Sequence, residues 1–193
     1  MKDVILVGIS WQKNLSSDTR EHVSRFRDYS IRMSSNPEHQ AKYQFGQAKD
    51  HLVFIHNHVI KYVENNFRTD PDRRTYFGYS LGGVFGAYIL LVKPNTFKNY
   101  ILGSPSLDGN IPFLAELESK ENLNANVFIS YGALEKDLGT HVEAYISILK
   151  SRNDDSLFLQ KEVIESADHG SAFPTTAVRS VRWLSNLQTE RRK

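Results

Sequence analysis

Short apolar runs of strand length alternate along this chain with longer stretches whose apolar residues recur at helical spacing. The strand-like runs are residues 4–9 (VILVGI), 74–79 (RTYFGY), 99–104 (NYILGS) and 126–132 (NVFISYG), followed by a more polar run at 159–166 (LQKEVIES). The helix-like stretches are residues 46–67, 84–92, 140–150 and 175–187. Strands that alternate with helices are typical of a parallel sheet with helices on both faces. The order therefore predicts an α/β fold, with the run at 159–166 near an edge of the sheet.

Size and charge restrict the classes of protein to which the chain can belong. With 193 residues, 40% of them hydrophobic, it is long enough to bury a core, and we expect one domain over residues 1–193. The net charge of +2 is small and both signs are interspersed, so no nucleic-acid partner is expected. The absence of cysteine excludes disulfides and thiolate metal sites and fits a reducing compartment. The apolar runs are too short to span a bilayer and MKDVILVGIS lacks the features of a signal peptide, so we expect a cytoplasmic protein without a membrane partner.

The region before the first long helix-like stretch has a different character. Residues 11–43 are polar, rich in Arg and Ser, and show little periodicity. We therefore expect a long irregular excursion over the edge of the sheet. His22 and His39 lie in this region, and surface roles are sufficient for them.

One serine lies between glycines at the junction of a predicted strand and a predicted helix. The residues Gly78-Tyr-Ser80-Leu-Gly82 match the G-x-S-x-G pattern, with a strand before them and a helix-like run after them. A nucleophile elbow requires this context, because its tight turn lifts the serine to the carboxyl end of the sheet, at a helix N-terminus. Gly78 and Gly82 are expected to leave room for a strained serine, and Gly83 for close packing of the helix. The pattern alone also fits an ordinary glycine-rich turn, but its context favours Ser80 as a nucleophile.

A serine hydroxyl needs a base to become a good nucleophile, so a histidine is expected further along the chain. His169 lies in ESADHGSAFP, after the last predicted strand and before the last predicted helix, where a hydrolase of this type has its base. His51, His56 and His58 lie in a helix-like stretch, where the spacing of HNH directs its two rings to different faces. We expect His141 to be a cap or a surface residue. His169 is therefore the predicted general base.

An acidic residue that orients the histidine is expected between the nucleophile and the base in the sequence. The loop after the run NVFISYG contains Glu135 and Asp137. Glu135 is preferred because it is closer to the end of the strand, and Asp137 is the second candidate. Asp168 is a weaker third candidate, since it is adjacent to His169 and adjacent side chains rarely point at one another in the required geometry.

Taken in order, these motifs resemble the Putative esterase (esterase D-like) branch of the α/β-hydrolases, especially its bacterial siderophore-esterase-like members. The resemblance depends first on the run TDPDRRTYFGYSLGGVFGAYILLVKPNTFKNYILGSPSL. There an arginine-rich lead-in, G-x-S-x-G-G, a proline before a phenylalanine, and S-P-S follow one another as in the family. RFRDYS, from Arg25, is similar to the family's R-x-x-D-Y-[ST] segment, and DHGSAFPTTAVRSVRWL resembles its terminal histidine segment and helix. The similarity extends from Val4 to about Leu187.

The resemblance implies ester hydrolysis through an acyl-serine intermediate. Ser80 would be the nucleophile, His169 the base and Glu135 the matching acid. Neither a metal ion nor an organic cofactor is implied. Trilactone siderophores are the implied substrates, and small acyl esters are the broader substrate class.

Two local features bear on the substrate. Arg25 or Arg27 is a candidate contact for an anionic catecholate-type ligand, and both are equally candidates for structural pairing with Asp28, which we favour. Family members usually continue S-P-S with Leu-Trp-Trp, whereas this chain continues S-P-S-L with Asp108 and Gly109. The change predicts either an altered substrate preference or only a different surface loop, and we slightly favour the loop.

The oxyanion hole is the least complete part of the predicted site. In the family, several strands precede the one that resembles residues 4–9, and a loop among them supplies one oxyanion N–H. The N–H of Leu81 is one expected donor, and the backbone at Ile9, Ser10 or Trp11 is a candidate for the other. Three explanations remain open: the sequence is a fragment, the strand at residues 4–9 lies beside the nucleophile strand, or another protomer covers the exposed edge. A truncated parallel sheet favours self-association, so we expect a homo-oligomer, most simply a dimer.

These features predict a serine carboxylesterase that hydrolyses small acyl esters or siderophore-type lactones. A binding or scaffolding protein that keeps the elbow without turnover is the alternative from another class. The incomplete oxyanion hole favours that alternative, while the presence of both Ser80 and His169 opposes it. An acyltransferase, which would use the same acyl-enzyme with an acceptor other than water, is a third alternative.

Overall fold

Four parallel strands form the sheet of this protein, as seen in a computed structural model that describes residues 4–10, 20–117 and 122–190. The strands are β1 (Thr75–Tyr79), β2 (Asn99–Gly103), β3 (Asn126–Gly132) and β4 (Phe158–Ile164). They lie in the order β1-β2-β3-β4, and each is paired in parallel with the next strand of the chain. The predicted α/β fold is confirmed, as are the predicted strands from residue 74 onward and the edge position of the last one.

Helices precede the first strand and connect the others. The described helices are α1 (Arg20–Tyr29), α2 (Pro37–Tyr43), α3 (Ala48–Phe54), α4 (Lys61–Asn66), α5 (Leu81–Val92), α6 (Ile111–Glu116), α7 (Lys136–Ser151) and α8 (Ala172–Glu190). A π-helical turn (Ile55–Ile60) joins α3 to α4, so the helix-like stretch predicted at residues 46–67 is one continuous helical segment. Short 3₁₀ turns (Pro71–Arg73 and Pro94–Thr96) precede β1 and β2. In the described parts of the chain, no helix combines the length and the apolar character needed to cross a membrane.

Different helices cover the two faces of the sheet. α5 packs on β1 and β2, and α7 packs on β3, where Tyr145 of α7 donates a hydrogen bond of 2.9 Å to the carbonyl oxygen of Ala87 in α5. α8 contacts β2, β3 and β4 on the opposite face, with Trp183 against Ile101 and Phe128. Neighbouring residues of β2 therefore face different layers, as the pleat of a strand requires.

α5 is the central helix of the larger core. Nearly all of its residues are buried, because β1 and β2 lie on one side of it and α1 on another. A helix that is apolar on all sides is held by contacts in every direction. The N-terminus of α5 and the turn that leads into it are therefore fixed in position.

The predicted strand at residues 4–9 is wrong. Residues 4–10 have no secondary structure, and their apolar side chains are exposed, with Leu6 94% exposed. A strand is stabilised by hydrogen bonds to a neighbouring strand. Within the described residues, β1 pairs with β2 alone, so its other edge has no partner and residues 4–10 lie outside the sheet.

The predicted irregular excursion at residues 11–43 is also wrong where the structure describes it. Residues 11–19 lie outside the described part of the chain, and the rest includes α1 and α2. Aromatic contacts stabilise these helices: the Phe26 ring lies 5.1 Å from that of Tyr43, and the Tyr29 ring lies 5.6 Å from that of Phe85 in α5. Val23, Phe26 and Tyr29 do recur at helical spacing in α1, but the pattern is short and lies in a polar sequence, so sequence reasoning missed it.

Candidate active site

Ser80 lies in a strained turn between β1 and α5. Its φ is 55° and its ψ is −117°, a conformation that costs a non-glycine residue free energy unless its surroundings impose it. Three backbone hydrogen bonds hold it: the Ser80 N–H donates to Gly103 at 2.9 Å, and the Ser80 carbonyl accepts from Val84 at 3.1 Å and from Ser106 at 3.3 Å. The strand–turn–helix geometry predicted for the elbow is thus present, with Ser80 at the carboxyl end of the sheet.

The glycines around Ser80 differ in how much space a side chain would have at each position. A Cβ on Gly78 would lie 2.5 Å from the carbonyl carbon of Gly82 and closer still to its oxygen, so this position requires glycine. A Cβ on Gly83 would lie 2.8 Å from the Cβ of Pro105, which confirms the predicted close packing. A Cβ on Gly82 would meet only the Tyr76 hydroxyl at 3.8 Å, an ordinary contact. The prediction that Gly82 relieves crowding is therefore wrong.

A buried carboxylate holds the imidazole of His169. Glu135 Oε1 lies 2.6 Å from His169 Nδ1, and the Glu135 side chain is only 6% exposed. Its other oxygen, Oε2, accepts hydrogen bonds of 2.7 Å from the Gly132 N–H and from Ser104 Oγ. A carboxylate with this many donors is fixed in place, and it directs the Nδ1 proton of His169 toward itself. The second ring nitrogen, Nε2, is then left to accept a proton.

The two other predicted acids lie elsewhere. Asp137 is exposed in the first turn of α7. Asp168 Oδ1 accepts hydrogen bonds from the backbone N–H and the hydroxyl of Ser171, at 2.8 and 2.6 Å. These bonds hold the pKa of Asp168 below its ordinary value and stabilise the turn before α8. Of the three candidates, the structure brings only Glu135 to His169.

The nucleophile hydroxyl has a different partner from the predicted one. Ser80 Oγ lies 3.2 Å from Ser106 Oγ, and the structure has no hydrogen bond between the described residues Ser80 and His169. Catalytic hydrogen bonds are often long or poorly aligned before substrate binds. The two residues are linked through Tyr79, the neighbour of Ser80, whose hydroxyl donates a bond of 2.6 Å to the His169 carbonyl. Ser80 and His169 therefore lie at the same end of the sheet.

The predicted oxyanion donors are only partly assembled. Leu81 is the first residue of α5, so its N–H has no acceptor within the helix and lies at the positive end of the helix dipole. Ile9 and Ser10 are exposed and lie outside the sheet, so the strand on which their assignment depended is absent. Their role as donors stays a prediction, and Trp11 lies outside the described residues.

A cavity of about 230 Å³ opens beside Ser80. Arg25 and Tyr29 of α1 line it together with residues of β1 and the start of α5. Arg27 instead pairs with Asp28, with Nε 2.6 Å from Oδ1 and a second contact of 3.0 Å. The structural role that we favoured is thus confirmed for Arg27, whereas Arg25 faces the cavity beside the serine.

The remaining charged positions of the sequence analysis lie away from this network. The Asp108 side chain is 90% exposed and lies 3.7 Å from Nε2 of His141, which supports the interpretation of this departure as a surface loop. His51 is buried near the rings of Tyr29 and Phe85, and burial lowers its pKa. Within the ranges that the structure describes, no group of three His, Asp or Glu residues could hold a metal ion.

Sequence reasoning missed the roles of Tyr79, Ser104 and Ser106. Ser104 and Ser106 are both part of the S-P-S motif, which we used only to recognise the family. In the structure Ser104 contacts Glu135, and Ser106 contacts Ser80. The two serines of that motif were therefore the sequence signal for these contacts. The signal could not be interpreted from the sequence, because the contacts depend on β2 lying beside β1.

A strained serine at a strand-to-helix turn and a buried Glu–His pair at the same end of a parallel sheet define an α/β hydrolase of the serine-hydrolase type. The chain belongs to the Putative esterase family, whose model matches residues 2–181. The resemblance found in the sequence is thereby confirmed.

Individual relatives of this chain include named siderophore esterases. The chain is 30% identical over 144 residues to the ferri-bacillibactin esterase BesA of Bacillus subtilis, a match that covers 68% of this chain and 48% of BesA. It is 38% identical over 64 residues to a siderophore enterobactin esterase of Emericella nidulans, which covers 32% of this chain and 21% of that one. The chain thus spans less than half the length of these relatives.

Solved structures share the fold. The BES protein from Bacillus cereus matches with a TM-score of 0.73 and 27% identity over 84% of this chain and 65% of that chain. An IroE-like serine hydrolase from Shewanella oneidensis matches with a TM-score of 0.69 at 19% identity, over 82% of this chain and 55% of the other. Because its identity is only 19%, the second of these matches is evidence for the fold alone.

Proposed function

We propose that this chain is a serine carboxylesterase in which Ser80 is the nucleophile, His169 the general base and Glu135 the acid that orients it. The observation that supports this most strongly is the 2.6 Å contact between Glu135 and His169, at the end of the sheet where the Ser80 elbow lies. A buried, multiply hydrogen-bonded carboxylate on Nδ1 is the arrangement that leaves Nε2 ready to take the serine proton.

The proposed reaction has two halves. The Ser80 hydroxyl first breaks its hydrogen bond to Ser106. Its Oγ then attacks the ester carbonyl carbon, while its proton passes to His169 Nε2. The tetrahedral intermediate collapses, the carbon–oxygen bond to the alcohol breaks, and the leaving alcohol takes the proton from the imidazolium. Water then attacks the acyl-serine with His169 as base, which releases the carboxylic acid and restores the serine. The Leu81 N–H contributes one hydrogen bond to the developing oxyanion.

The proposed substrates are small acyl esters and siderophore-type lactones. Two relatives are named for their action on siderophores, ferri-bacillibactin and enterobactin. Arg25 lines the cavity beside Ser80, where a cationic residue suits an anionic, catecholate-type substrate. The volume of the cavity, about 230 Å³, suits one acyl unit rather than a whole large ligand.

The first test is hydrolysis of p-nitrophenyl acetate and butyrate, and of a siderophore trilactone, by the chain and by Ser80→Ala. We expect turnover by the chain and a loss of at least about 10³-fold in kcat for the variant, because the nucleophile is removed. Ser147→Ala, an exposed serine of α7, is the matched control and should retain full activity. Equal rates for the chain and Ser80→Ala in folded samples would contradict the proposal.

A hydrolase-like binding protein is the second candidate. Two observations favour it: residues 4–10 lie outside the sheet, and Ser80 Oγ is bonded to Ser106 rather than to His169. Labelling with a fluorophosphonate probe separates the candidates, since a nucleophilic serine reacts even in a slow enzyme. Ligand binding without labelling of Ser80 would support the binding protein.

We further propose a second arrangement, different from the one in the structure, in which residues 4–9 pair with the open edge of β1 and bring the backbone of Ile9 or Ser10 to Ser80 as the second oxyanion donor. β1 has five residues, and residues 4–9 form an exposed apolar run of similar length. Phe77 on β1 is 43% exposed beside Phe173, so an apolar strand would cover apolar surface as well as pair with the edge. If the segment comes from a second copy, the same pairing produces the expected dimer.

Disulfide trapping tests this pairing, and the chain has no native cysteine to interfere. Phe77→Cys is combined in turn with Ile5→Cys, Leu6→Cys and Val7→Cys. Successive side chains of a strand point to opposite faces, so we expect cross-linking either at Leu6 or at Ile5 and Val7, but not at all three. A cross-linked monomer identifies pairing within one chain, and a cross-linked dimer identifies exchange between two. Val178→Cys, 71% exposed on α8, replaces Phe77→Cys in the control, and equal cross-linking there would contradict the pairing.

A further inference from the structure

Tyr79 connects the strand that carries the nucleophile to the turn that carries the histidine. Its hydroxyl donates to the carbonyl oxygen of His169 at 2.6 Å and lies 3.0 Å from Ser104 Oγ. Ser104 Oγ donates in turn to Glu135 Oε2 at 2.7 Å. One hydroxyl group therefore reaches both members of the Glu135–His169 pair, each by a separate route.

The hydroxyl protons of Tyr79 and Ser104 decide which atoms donate and which accept in these hydrogen bonds. The His169 carbonyl can only accept a hydrogen bond, and the Glu135 carboxylate also only accepts. Because the Ser104 proton is directed to Glu135, the single proton of Tyr79 is shared between the His169 carbonyl and Ser104 Oγ, and the carbonyl contact is the shorter. Without the Tyr79 hydroxyl, the His169 carbonyl has no other hydrogen-bond donor among the described residues.

Packing holds the Tyr79 ring where the hydroxyl can make these bonds. Its centroid lies 5.3 Å from the His169 ring and 5.0 Å from the Phe173 ring. The ring also occupies the space that a side chain at residue 103 would fill, since a Cβ on Gly103 would lie 2.5 Å from its Cδ2. Burial raises the pKa of Tyr79 above its ordinary value, so the hydroxyl keeps its proton at neutral pH.

We propose that Tyr79 is a positioning residue of this active site, which fixes the backbone of His169 directly and the carboxylate of Glu135 through Ser104. The backbone of the next residue, Ser80, is fixed by its own hydrogen bonds. The hydrogen bond from Tyr79 to the His169 carbonyl therefore holds the base in a fixed position relative to the nucleophile turn. The inference rests on the proposed esterase function. It goes further in naming a residue that acts through His169 and Glu135.

The test compares Tyr79→Phe with Tyr131→Phe. Tyr131 is the matched control, because its hydroxyl donates one bond of 2.9 Å to Glu143, outside the network of Glu135 and His169. We expect kcat of Tyr79→Phe to fall by about fivefold to tenfold, the usual effect of one lost hydrogen bond, with KM changed by less than about twofold. Tyr131→Phe should leave both constants unchanged within about twofold.

Double substitution and a spectroscopic signal distinguish positioning from a general loss of stability. Tyr79→Phe and Ser104→Ala should have non-additive effects on kcat, because both interrupt the route to Glu135. The proton on His169 Nδ1, bonded to Glu135, should give a downfield NMR signal that His169→Gln removes. We expect this signal to broaden or disappear in Tyr79→Phe and to remain in Tyr131→Phe.

The outcomes separate this proposal from the proposed function. If the chain shows no Ser80-dependent turnover, the esterase proposal fails, and the NMR signal still decides whether Tyr79 positions His169. An unchanged signal together with unchanged kcat in Tyr79→Phe would overturn the role of Tyr79. An equal loss of kcat in both tyrosine variants would overturn it as well, because the effect would then be unspecific.

Discussion

Glu135→Gln is expected to lower kcat for ester hydrolysis by roughly 10³–10⁴-fold, by analogy with the loss when the acid of a serine hydrolase is made neutral. The Glu135 carboxylate lies 2.6 Å from His169 Nδ1 and accepts two further bonds. A glutamine would place either a neutral oxygen or an N–H against Nδ1, and an N–H there favours the tautomer whose Nε2 cannot accept the serine proton. Initial rates on p-nitrophenyl butyrate measure the effect, with circular dichroism to confirm folding.

The matched control for Glu135→Gln is Asp137→Asn. Asp137 was the second candidate acid, and it is exposed on α7 without a contact to His169 in the structure. Its substitution should leave kcat within about twofold of the original value, as is usual for an exposed residue. If Asp137→Asn were the damaging change and Glu135→Gln the silent one, the assignment of the acid would be wrong.

Gly78→Ala is expected to destabilise the chain by about 1–3 kcal/mol and to abolish esterase activity, because the new methyl group would overlap the backbone. The Cβ would lie 2.5 Å from the carbonyl carbon of Gly82 and 2.7 Å from Cε1 of Tyr76. The backbone of the turn must shift to relieve that overlap, and Ser80 shifts with it. Urea unfolding measures the stability, and hydrolysis of p-nitrophenyl butyrate measures the activity.

Gly82→Ala tests whether the effect is specific to Gly78. Its Cβ would meet only the Tyr76 hydroxyl at 3.8 Å, and residue 82 lies in the first turn of α5, where alanine is the better helix former. We expect the unfolding midpoint to stay the same or rise slightly. A severe loss of stability in Gly82→Ala, with a mild effect in Gly78→Ala, would contradict the packing described for the elbow.

The first three strands after residue 74 could be predicted because each is a short apolar run between turn-forming residues, and the more polar fourth strand because it continues the alternation with helices. The same pattern at residues 4–9 gave a wrong prediction. An apolar run becomes a strand only when it pairs with a neighbouring strand, and in the structure these residues pair neither with the open edge of β1 nor with another described strand. α1 and α2 were missed because they are short and polar, although α1 is amphipathic and α2 begins with an Asn36 cap, and ring contacts such as that of Tyr29 with Phe85 add to them only in the folded chain.

The candidate site also has residues that the sequence could predict and features that only the structure could show. Ser80 was predictable because glycine spacing between a strand and a helix is a local pattern, and His169 because it follows the last strand in the order that the fold requires. Glu135 was preferred to Asp137 because it lies closer to the end of the same strand, but the sequence could not show which of the two carboxylates is buried. Only the folded chain buries one carboxylate against Gly132 and Ser104 while leaving the other exposed.

What the amino-acid sequence determined by itself is the order of strands and helices, the strained serine turn and the chemistry available to it. These follow from periodicity and from local backbone preferences, which act over a few residues. The tertiary structure alone decided which acid meets the histidine, that Tyr79 and Ser104 join them, and that residues 4–10 lie outside the sheet. Each of those depends on contacts between residues far apart in the chain, whose distances are set only when β1, β2, β3 and α8 pack together.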